Sequence, residues 1–244
     1  MTKVIGILGG ISPASTAAYY RRIVSRYHER RGDYHFPEIV LYSLDFQRFT
    51  ELEHANQPDA YVAEIVRGIQ ALERAGADFA IMAANSPHAV FDPVSRQARI
   101  PLLSIVESTG HEAVRRGLKN LLLLGIKFTM QSSFYAQALA RHGIKVSVPA
   151  LDHQTEIDAL IFDELVKNVV TDRARRRLVE IMGCYDPDGV ILGCTELPLL
   201  LQTQDTSIPL LDTLALHADA ALDYAMADES TGARAIPQTG GANS

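Results

Sequence analysis

Cysteine is scarce in this 244-residue chain, which contains only Cys184 and Cys194. Two cysteines exclude a disulfide-rich scaffold, and their separation matches no CxxC motif. No histidine cluster accompanies them, so the sequence disfavours a structural zinc site, and we expect no bound metal. An isolated thiol is most often a small buried apolar side chain, and we expect that role for Cys184, which no motif surrounds.

Positive charge and long apolar runs are also scarce. The chain has 23 Lys and Arg residues against 29 Asp and Glu residues, a formal net charge of -6, and no basic block, so we expect no nucleic-acid partner. No apolar stretch approaches the roughly 20 residues that span a bilayer. The run Val4–Leu8 is too short for a signal-peptide core, and no cleavage pattern follows it. These absences predict a soluble cytoplasmic protein without a membrane partner.

Short apolar runs alternate with amphipathic helical patterns along most of the chain. Continuous apolar runs are typical of strands covered by helices on both faces, so the alternation predicts a parallel α/β fold. The predicted strands are Val4–Leu8, Glu38–Ser43, Asp78–Met82, Leu102–Ser104, Asn120–Leu124, Lys145–Val148, Gly189–Leu192 and Leu210–Asp212.

An internal repeat divides the chain. Residues 77–88 and 187–198 both run from an Asp through an apolar strand to a small residue and a polar cluster. An Ile-Pro-Leu-Leu segment follows each cluster, at Ile100 and at Ile208. We therefore expect two similar Rossmann-like lobes related by a pseudo-twofold axis. Their polar clusters should share a cleft, because ligands bind beyond the carboxyl ends of parallel strands.

The repeat and the changes in composition suggest domain boundaries. Residues 1–108 together with 209–227 are predicted to form the first lobe, and residues 109–208 the second lobe. Residues 228–244 are rich in small and polar residues, and we expect this tail to be disordered.

The segment Gly9-Gly10-Ile11-Ser12 ends the first predicted strand and opens a helix. Glycine lets the backbone approach a ligand, and a helix start offers N–H groups to an anion. The segment matches neither GxGxxG, because Leu8 occupies the second glycine position, nor a P-loop. The segment is equally compatible with a site for a small carboxylate or phosphate at Gly10 and Ile11 and with a tight turn that binds no ligand.

Polar clusters follow the two strands of the repeat. In the second half, Cys194-Thr195-Glu196 places a thiol near a possible helix start, where free N–H groups would lower its pKa. Thr195 offers a hydroxyl to a carboxylate, and Glu196 can orient or stabilise a neighbour.

The first-half cluster is Asn85-Ser86-Pro87-His88. Asn85 and Ser86 can both bond a carboxylate. His88 is either an acid/base group or a packed residue at a helix start.

These segments carry a resemblance to the aspartate/glutamate racemase family, which extends from Val4 to about Met226. The segment Leu192–Pro198 is the most specific, and Gly6–Gly10, Asn85–His88 and Phe128–Tyr135 support it. The resemblance implies a two-lobed enzyme, often dimeric, that uses neither pyridoxal phosphate nor metal. Two cysteines typically flank the substrate α-carbon in that family, and Cys194 matches one of them.

The position of the second cysteine is different here. The family usually has Cys-Asn-Thr, whereas this chain has Ala84-Asn85-Ser86. A methyl group cannot transfer a proton, so Ala84 marks the site of a missing second base. Either the residue was replaced by engineering, or the protein natively works with one thiol.

The resemblance also suggests substrate-binding side chains. Arg48 and Lys167 are candidate cations for a distal substrate carboxylate, although both residue types are commonly solvated surface charges. Thr129 is a candidate donor to a carboxylate, while Ile126 replaces a threonine that relatives often have nearby.

Three functions fit these residues. The first is a cofactor-independent racemase, or a one-base variant, acting on an acidic amino acid such as aspartate or glutamate through Cys194. The second is a single-cysteine decarboxylase or isomerase of a small dicarboxylate. The third is a carboxylate-binding protein whose catalytic pair has decayed. The resemblance favours the first function and a homodimer.

Overall fold

The structure, a computed structural model, describes residues 2–55, 57–167 and 169–232. Its strands form two four-stranded parallel sheets, ordered β2-β1-β3-β4 and β6-β5-β7-β8. The strands are β1 Ile5–Gly9, β2 Ile39–Ser43, β3 Phe79–Met82, β4 Leu102–Leu103, β5 Asn120–Leu124, β6 Lys145–Ser147, β7 Gly189–Leu192 and β8 Leu210–Asp212. The eight predicted strands agree with these to within one residue at each end, and the prediction of a two-lobed α/β fold is confirmed.

Helices follow most of the strands. They are α1 Pro13–Arg31, α2 Phe46–His54, α3 Pro58–Arg74, α4 Phe91–Gln97, α5 Ile105–Arg115, α6 Lys127–Gln131, α7 Phe134–Ala140, α8 Leu151–Asp163, α9 Asp172–Gly183, α10 Leu197–Leu200 and α11 Thr213–Gly232, with 3₁₀ turns at Ser86–Val90 and Leu165–Lys167. Helix α1 begins where the Ser12 hydroxyl accepts a bond from the Ser15 N–H, and it ends at Gly32, which has a φ of 68°. No helix among the described residues is long and apolar enough to cross a membrane.

The two sheets repeat the same backbone contacts. In the first lobe the Asp78 N–H donates to Val4 O at 3.0 Å, and Asp78 Oδ2 accepts from the Val4 N–H at 2.7 Å. In the second lobe the Asp188 N–H donates to Asn120 O at 2.8 Å, and Asp188 Oδ2 accepts from the Asn120 N–H at 2.8 Å. The two aspartates of the sequence repeat therefore begin equivalent strands in the same way.

Helices cover both faces of each sheet, which explains the continuously apolar strands. Helix α3 packs on one face of the first sheet, and α1 and α11 pack on the other. Helices α8 and α9 cover one face of the second sheet, and α5 and α7 cover the other. Ile7 and Leu122 are fully buried in these layers. Burying a side chain of this size contributes about 2 kcal/mol to folding.

The predicted lobe boundaries need three corrections. Strand β8 pairs with β7, so residues 210–212 belong to the second lobe and not to the first. The break predicted after residue 108 would cut α5, whose apolar side chains pack on the second sheet. Helix α11 continues through residues 228–232, which were expected to belong to a disordered tail. The rest of that predicted tail, residues 233–244, lies outside the described residues.

Candidate active site

A cavity of about 310 Å³ lies between the two lobes, and both Ala84 and Cys194 line it. Backbone hydrogen bonds continue β3 and β7 by one residue toward the cavity. The Ala83 N–H donates to Leu8 O at 2.8 Å, and the Gly193 N–H donates to Leu124 O at 2.7 Å. The two polar clusters of the repeat thus meet at the carboxyl ends of the strands, where parallel sheets bind ligands. A thiol is present at one of the two equivalent positions and a methyl group at the other.

The Cys194 thiol is in contact with a carboxylate. Its Sγ donates a hydrogen bond to Glu196 Oε2 at 3.0 Å. Burial is the main cause that raises the pKa of Cys194 well above the usual thiol range, and the charge of Glu196 raises it further. The thiol is therefore protonated at neutral pH in this arrangement.

The prediction that a helix start lowers the pKa of Cys194 is wrong. Helix α10 has only four residues, and the Leu197 N–H at its start bonds the Cys194 carbonyl at 3.2 Å. The Glu196 N–H acts in the expected direction but is outweighed by burial and the Glu196 carboxylate.

The Glu196 carboxylate accepts hydrogen bonds from residues of both lobes. Its Oε1 accepts from the Ser12 hydroxyl at 3.1 Å, and its Oε2 also accepts from the Thr195 hydroxyl at 2.8 Å. The Thr195 proton is thus committed to Glu196, which corrects the expectation that Thr195 donates to a substrate carboxylate. Ser12 is not among the predicted site residues, although its position before Pro13 at the start of α1 indicates an N-cap hydroxyl held at the strand end.

Asn85 lines the cavity and ties the lobes together. Its Oδ1 accepts from the Tyr135 hydroxyl at 2.7 Å, and its Nδ2 donates to Thr213 Oγ1 at 3.1 Å. An amide nitrogen carries two hydrogens, so one N–H of Asn85 has the capacity to bond a ligand. Ser86 is also buried and lines the cavity, and its role in binding a substrate stays a prediction.

Thr129 on α6 is buried, and its hydroxyl forms no hydrogen bond among the described residues. Its side chain is 1% exposed and lines the cavity, yet its Oγ1 has no hydrogen-bond partner among the described residues. An unsatisfied buried hydroxyl is unfavourable in the free protein. The position suits a donor to a ligand, which is the role expected for Thr129.

His88 is buried but does not line the cavity. Its Nε2 lies 3.1 Å from the Ile105 N–H, and its Nδ1 lies 3.0 Å from the Ala84 carbonyl. Both contacts are satisfied by the neutral ring with its proton on Nδ1. Burial, followed by the neighbouring His217, lowers the pKa of His88 well below its usual value. Two roles were left open for His88. The structure supports a packed residue, and the prediction that His88 is an acid/base group in the cavity is wrong.

The glycine segment after β1 forms a turn. Gly10 has a φ of 85°, and its N–H is used by Thr16 Oγ1 at 2.9 Å. A Cβ at Gly10 would lie 2.2 Å from the Leu44 carbonyl oxygen, so the close backbone approach requires glycine. The Gly10 N–H is therefore unavailable to a carboxylate, whereas Ile11 does line the cavity.

The two candidate cations do not reach the cavity. Arg48 is exposed and lies 3.5 Å from Glu64, and Lys167 is exposed beside Asp163 at 3.7 Å. For Arg48 the reason is helical phase, because α2 turns Phe46 and Phe49 toward the cavity and Arg48 away from it. Among the described residues Lys127, which the sequence analysis did not single out, is the one Lys or Arg that lines the cavity.

Two further observations concern groups outside the cavity. Cys184 is exposed, so the expectation that it is a buried apolar side chain is wrong. It follows the last turn of α9, and its thiol donates to the Glu180 carbonyl at 3.3 Å. Glu107, His111 and His142 place their possible ligand atoms within 4.8 Å of one another, although Glu107 is already bonded to Arg141 and His142.

The known proteins that this chain resembles are described as racemases or racemase homologues. The sequence profile of the family described as Asp/Glu/Hydantoin racemase matches residues 8–221. The Bacillus subtilis protein named broad specificity amino-acid racemase RacX is 27% identical over 235 residues, covering 93% of this chain and 100% of RacX. The crystal structure of an aspartate racemase homologue from Pyrococcus horikoshii has a TM-score of 0.83 and 35% identity, covering 92% of this chain and 99% of that chain. The crystal structure of a candidate Asp/Glu racemase from Yersinia pestis has a TM-score of 0.85 and 33% identity, with the same coverage.

Proposed function

This chain belongs to the Asp/Glu/Hydantoin racemase family, and we propose that it transfers the α-proton of an amino acid through Cys194 without an added cofactor. The observation that carries the proposal is the Cys194–Glu196 hydrogen bond at the wall of a cavity that Ala84 also lines. A thiol with a carboxylate partner is an acid/base pair, because the carboxylate can take the thiol proton and return it.

The proposed proton path uses groups that lie in contact. The Cys194 proton passes to Glu196, and the resulting thiolate removes the α-proton of the bound amino acid. The electron pair of the broken C–H bond remains on the α-carbon and its carboxylate. The Thr129 hydroxyl and the second Asn85 N–H are the proposed donors that stabilise the charge on that carboxylate.

Ala84 determines the expected stereochemical outcome. A methyl group at the position equivalent to Cys194 has no proton to deliver to the opposite face of the carbanion. The proton then returns from Cys194 to the face that it left. We therefore expect exchange with solvent to proceed with retention and to outpace inversion.

The test is isotope exchange in D₂O. Each enantiomer of aspartate, glutamate and representative apolar and basic amino acids is incubated with the protein, with NMR for α-proton loss and chiral chromatography for inversion. Exchange that disappears in Cys194→Ser supports the proposal, and a predominance of retention supports the one-base form. Absence of exchange with every amino acid would refute it.

The raised pKa of Cys194 favours a second candidate. A thiol that stays protonated can serve as a proton donor, so a 2-substituted malonate could lose CO₂ and the resulting enolate could take the Cys194 proton. Release of CO₂ from such malonates, with loss of activity in Cys194→Ser, distinguishes this reaction from amino-acid exchange. Binding of a carboxylate without either reaction would indicate a decayed, non-catalytic protein.

The substrate range and the assembly are open to the same kind of test. One relative is named a broad specificity amino-acid racemase, so the proposal is not restricted to aspartate or glutamate. A homodimer and a cytoplasmic location stay predictions. Light scattering coupled to size-exclusion chromatography measures the oligomeric state.

A further inference from the structure

The cavity has an excess of negative charge. Apart from the Cys194 thiol, the ionisable side chains of the described residues that line it are the carboxylates Glu53, Asp158 and Glu196 and the cation Lys127. With the thiol protonated and the other four groups charged, the formal charge of this lining is −2. An amino-acid substrate brings its own α-carboxylate and α-ammonium, so this excess bears on what the substrate side chain carries.

Two helices, one from each lobe, contribute apolar and acidic side chains to the cavity. Helix α2 presents Phe46, Phe49 and Glu53, which are spaced so that they share one helical face. Helix α8 presents Asp158, Ile161 and Phe162 with similar spacing. Each wall thus combines apolar side chains with one carboxylate.

Glu53 has a hydrogen-bond partner but no counter-ion among the side chains that the structure describes. The Tyr61 hydroxyl donates to Glu53 Oε1 at 3.0 Å, and none of the ion pairs between described side chains involves this half-buried carboxylate. Arg48 on the same helix is paired with Glu64 instead. A partly buried carboxylate without a cation favours a positively charged ligand group.

Asp158 repeats this pattern on the opposite wall. Its Oδ1 accepts from the backbone N–H of Lys127 at 2.7 Å, while no cationic side chain of the described residues forms an ion pair with it. A second carboxylate on a substrate would meet Glu53 and Asp158 with only Lys127 to offset the repulsion.

We propose that the cavity selects an amino acid whose side chain is an alkyl stem ending in a cation, such as lysine or ornithine, over an acidic amino acid. This inference rests on the proposed function for the identity of the ligand as an amino acid. The phenyl rings of Phe46, Phe49 and Phe162 cover the methylene stem, and Glu53 pairs with the terminal ammonium. Glu53 is then a specificity-determining residue of the site.

The test compares lysine, norleucine and glutamate as substrates of α-proton exchange. Norleucine has the alkyl stem without the charge, so it separates apolar contact from ion pairing. We expect the order lysine, norleucine, glutamate in kcat/KM. The variant Glu53→Gln, whose amide oxygen can still accept from Tyr61, should lower kcat/KM for lysine about tenfold and leave norleucine unchanged. The matched control is Glu51→Gln, an exposed residue of the same helix that bonds Gln47.

A binding measurement separates failure of this inference from failure of the proposed function. Protection of Cys194 from alkylation, in a Cys184→Ser background, reports occupancy without turnover. Protection by lysine that depends on Glu53, without exchange, would retain the selectivity and refute the proposed reaction. Exchange that is fastest with glutamate, or an equal effect of Glu53→Gln on lysine and norleucine, would overturn the selectivity alone. Absence of protection by all three amino acids would overturn both.

Discussion

Cys194 and Glu196 lie on either side of Thr195, and the thiol of the first donates a 3.0 Å hydrogen bond to the carboxylate of the second. The contact has two opposing consequences. It gives the thiol proton an acceptor, and it places a negative charge where the thiolate would form. The second effect, added to burial, keeps the pKa of Cys194 raised in the free protein.

Replacing Glu196 by Gln should therefore lower the pKa of Cys194. The substitution removes the charge repulsion on the thiolate but leaves the burial, so the pKa should stay above that of an exposed thiol. Ultraviolet absorbance of the thiolate during a pH titration measures it, in a Cys184→Ser background that leaves one thiol. Glu51→Gln is the control for a charge removed far from the thiol, and an unchanged or higher pKa in Glu196→Gln would contradict this account.

Introducing a thiol at position 84 should convert exchange into racemisation. Ala84 lines the same cavity as Cys194 and occupies the equivalent strand end, so Ala84→Cys supplies a proton to the face that lacks one. A well-placed acid/base group accelerates a proton transfer by about a hundredfold or more. Chiral chromatography measures the rate of inversion, and Ala84→Ser, which adds a similar volume with a far weaker acid, is the control. Equal inversion rates in the two variants would argue against a second base at this position.

Replacing Thr129 by Val should stabilise the free protein while weakening substrate binding. The change removes a buried hydroxyl without a partner and keeps the shape, so the free energy of unfolding should rise by about 1 kcal/mol. KM should rise about tenfold if that hydroxyl donates to the substrate carboxylate.

Thr109→Val is the matched control for Thr129→Val. The Thr109 hydroxyl is fully buried and donates to the Ile105 carbonyl at 2.8 Å, so its removal should cost stability without raising KM. Urea unfolding and steady-state kinetics on both variants give the comparison. A loss of stability in Thr129→Val would show that its hydroxyl is satisfied in solution.

Acidification should destabilise the protein through His217. Burial lowers the pKa of His217 to about 4, below the value of about 6.5 in an unfolded chain. The unfolded state gains a proton as the pH falls below about 6.5, whereas the folded state resists protonation until about pH 4. The contribution of neutral His217 to the free energy of unfolding is therefore fully present at neutral pH. It is lost as the pH falls from about 6.5 to about 4.

The size of this effect is measurable by urea unfolding at about pH 7 and about pH 5. His217 should account for a loss of about 2 kcal/mol between the two. The variant His217→Gln, which can still bond Tyr19 and the Leu103 carbonyl, should lose correspondingly less. The exposed His111, replaced by Gln, is the control, and equal pH dependence in all three proteins would contradict the assignment.

The positions of the strands along the chain and the meeting of Ala84 with Cys194 at one cavity could be predicted from the sequence. Apolar runs and an internal repeat report on strands directly, and parallel strands necessarily bring their carboxyl ends to one edge. The position of Thr129 at the cavity was also anticipated, because the resemblance carried it with the surrounding motif. Strand β8 was assigned to the wrong lobe, although the repeat pairs its Ile-Pro-Leu-Leu segment with that of β4, and the two strands occupy equivalent edges of the two sheets.

By itself, the sequence determined the two-lobed α/β architecture and the presence of a thiol, Cys194, at one of the two repeated strand ends and of Ala84 at the other, because both follow from local patterns. The tertiary structure alone decided the chemistry around that thiol. Burial, followed by the charge of Glu196, raises the pKa of Cys194, and His88 turns its ring away from the cavity. Burial and side-chain orientation depend on packing between distant segments of the chain, and a linear pattern does not contain the distances between those segments.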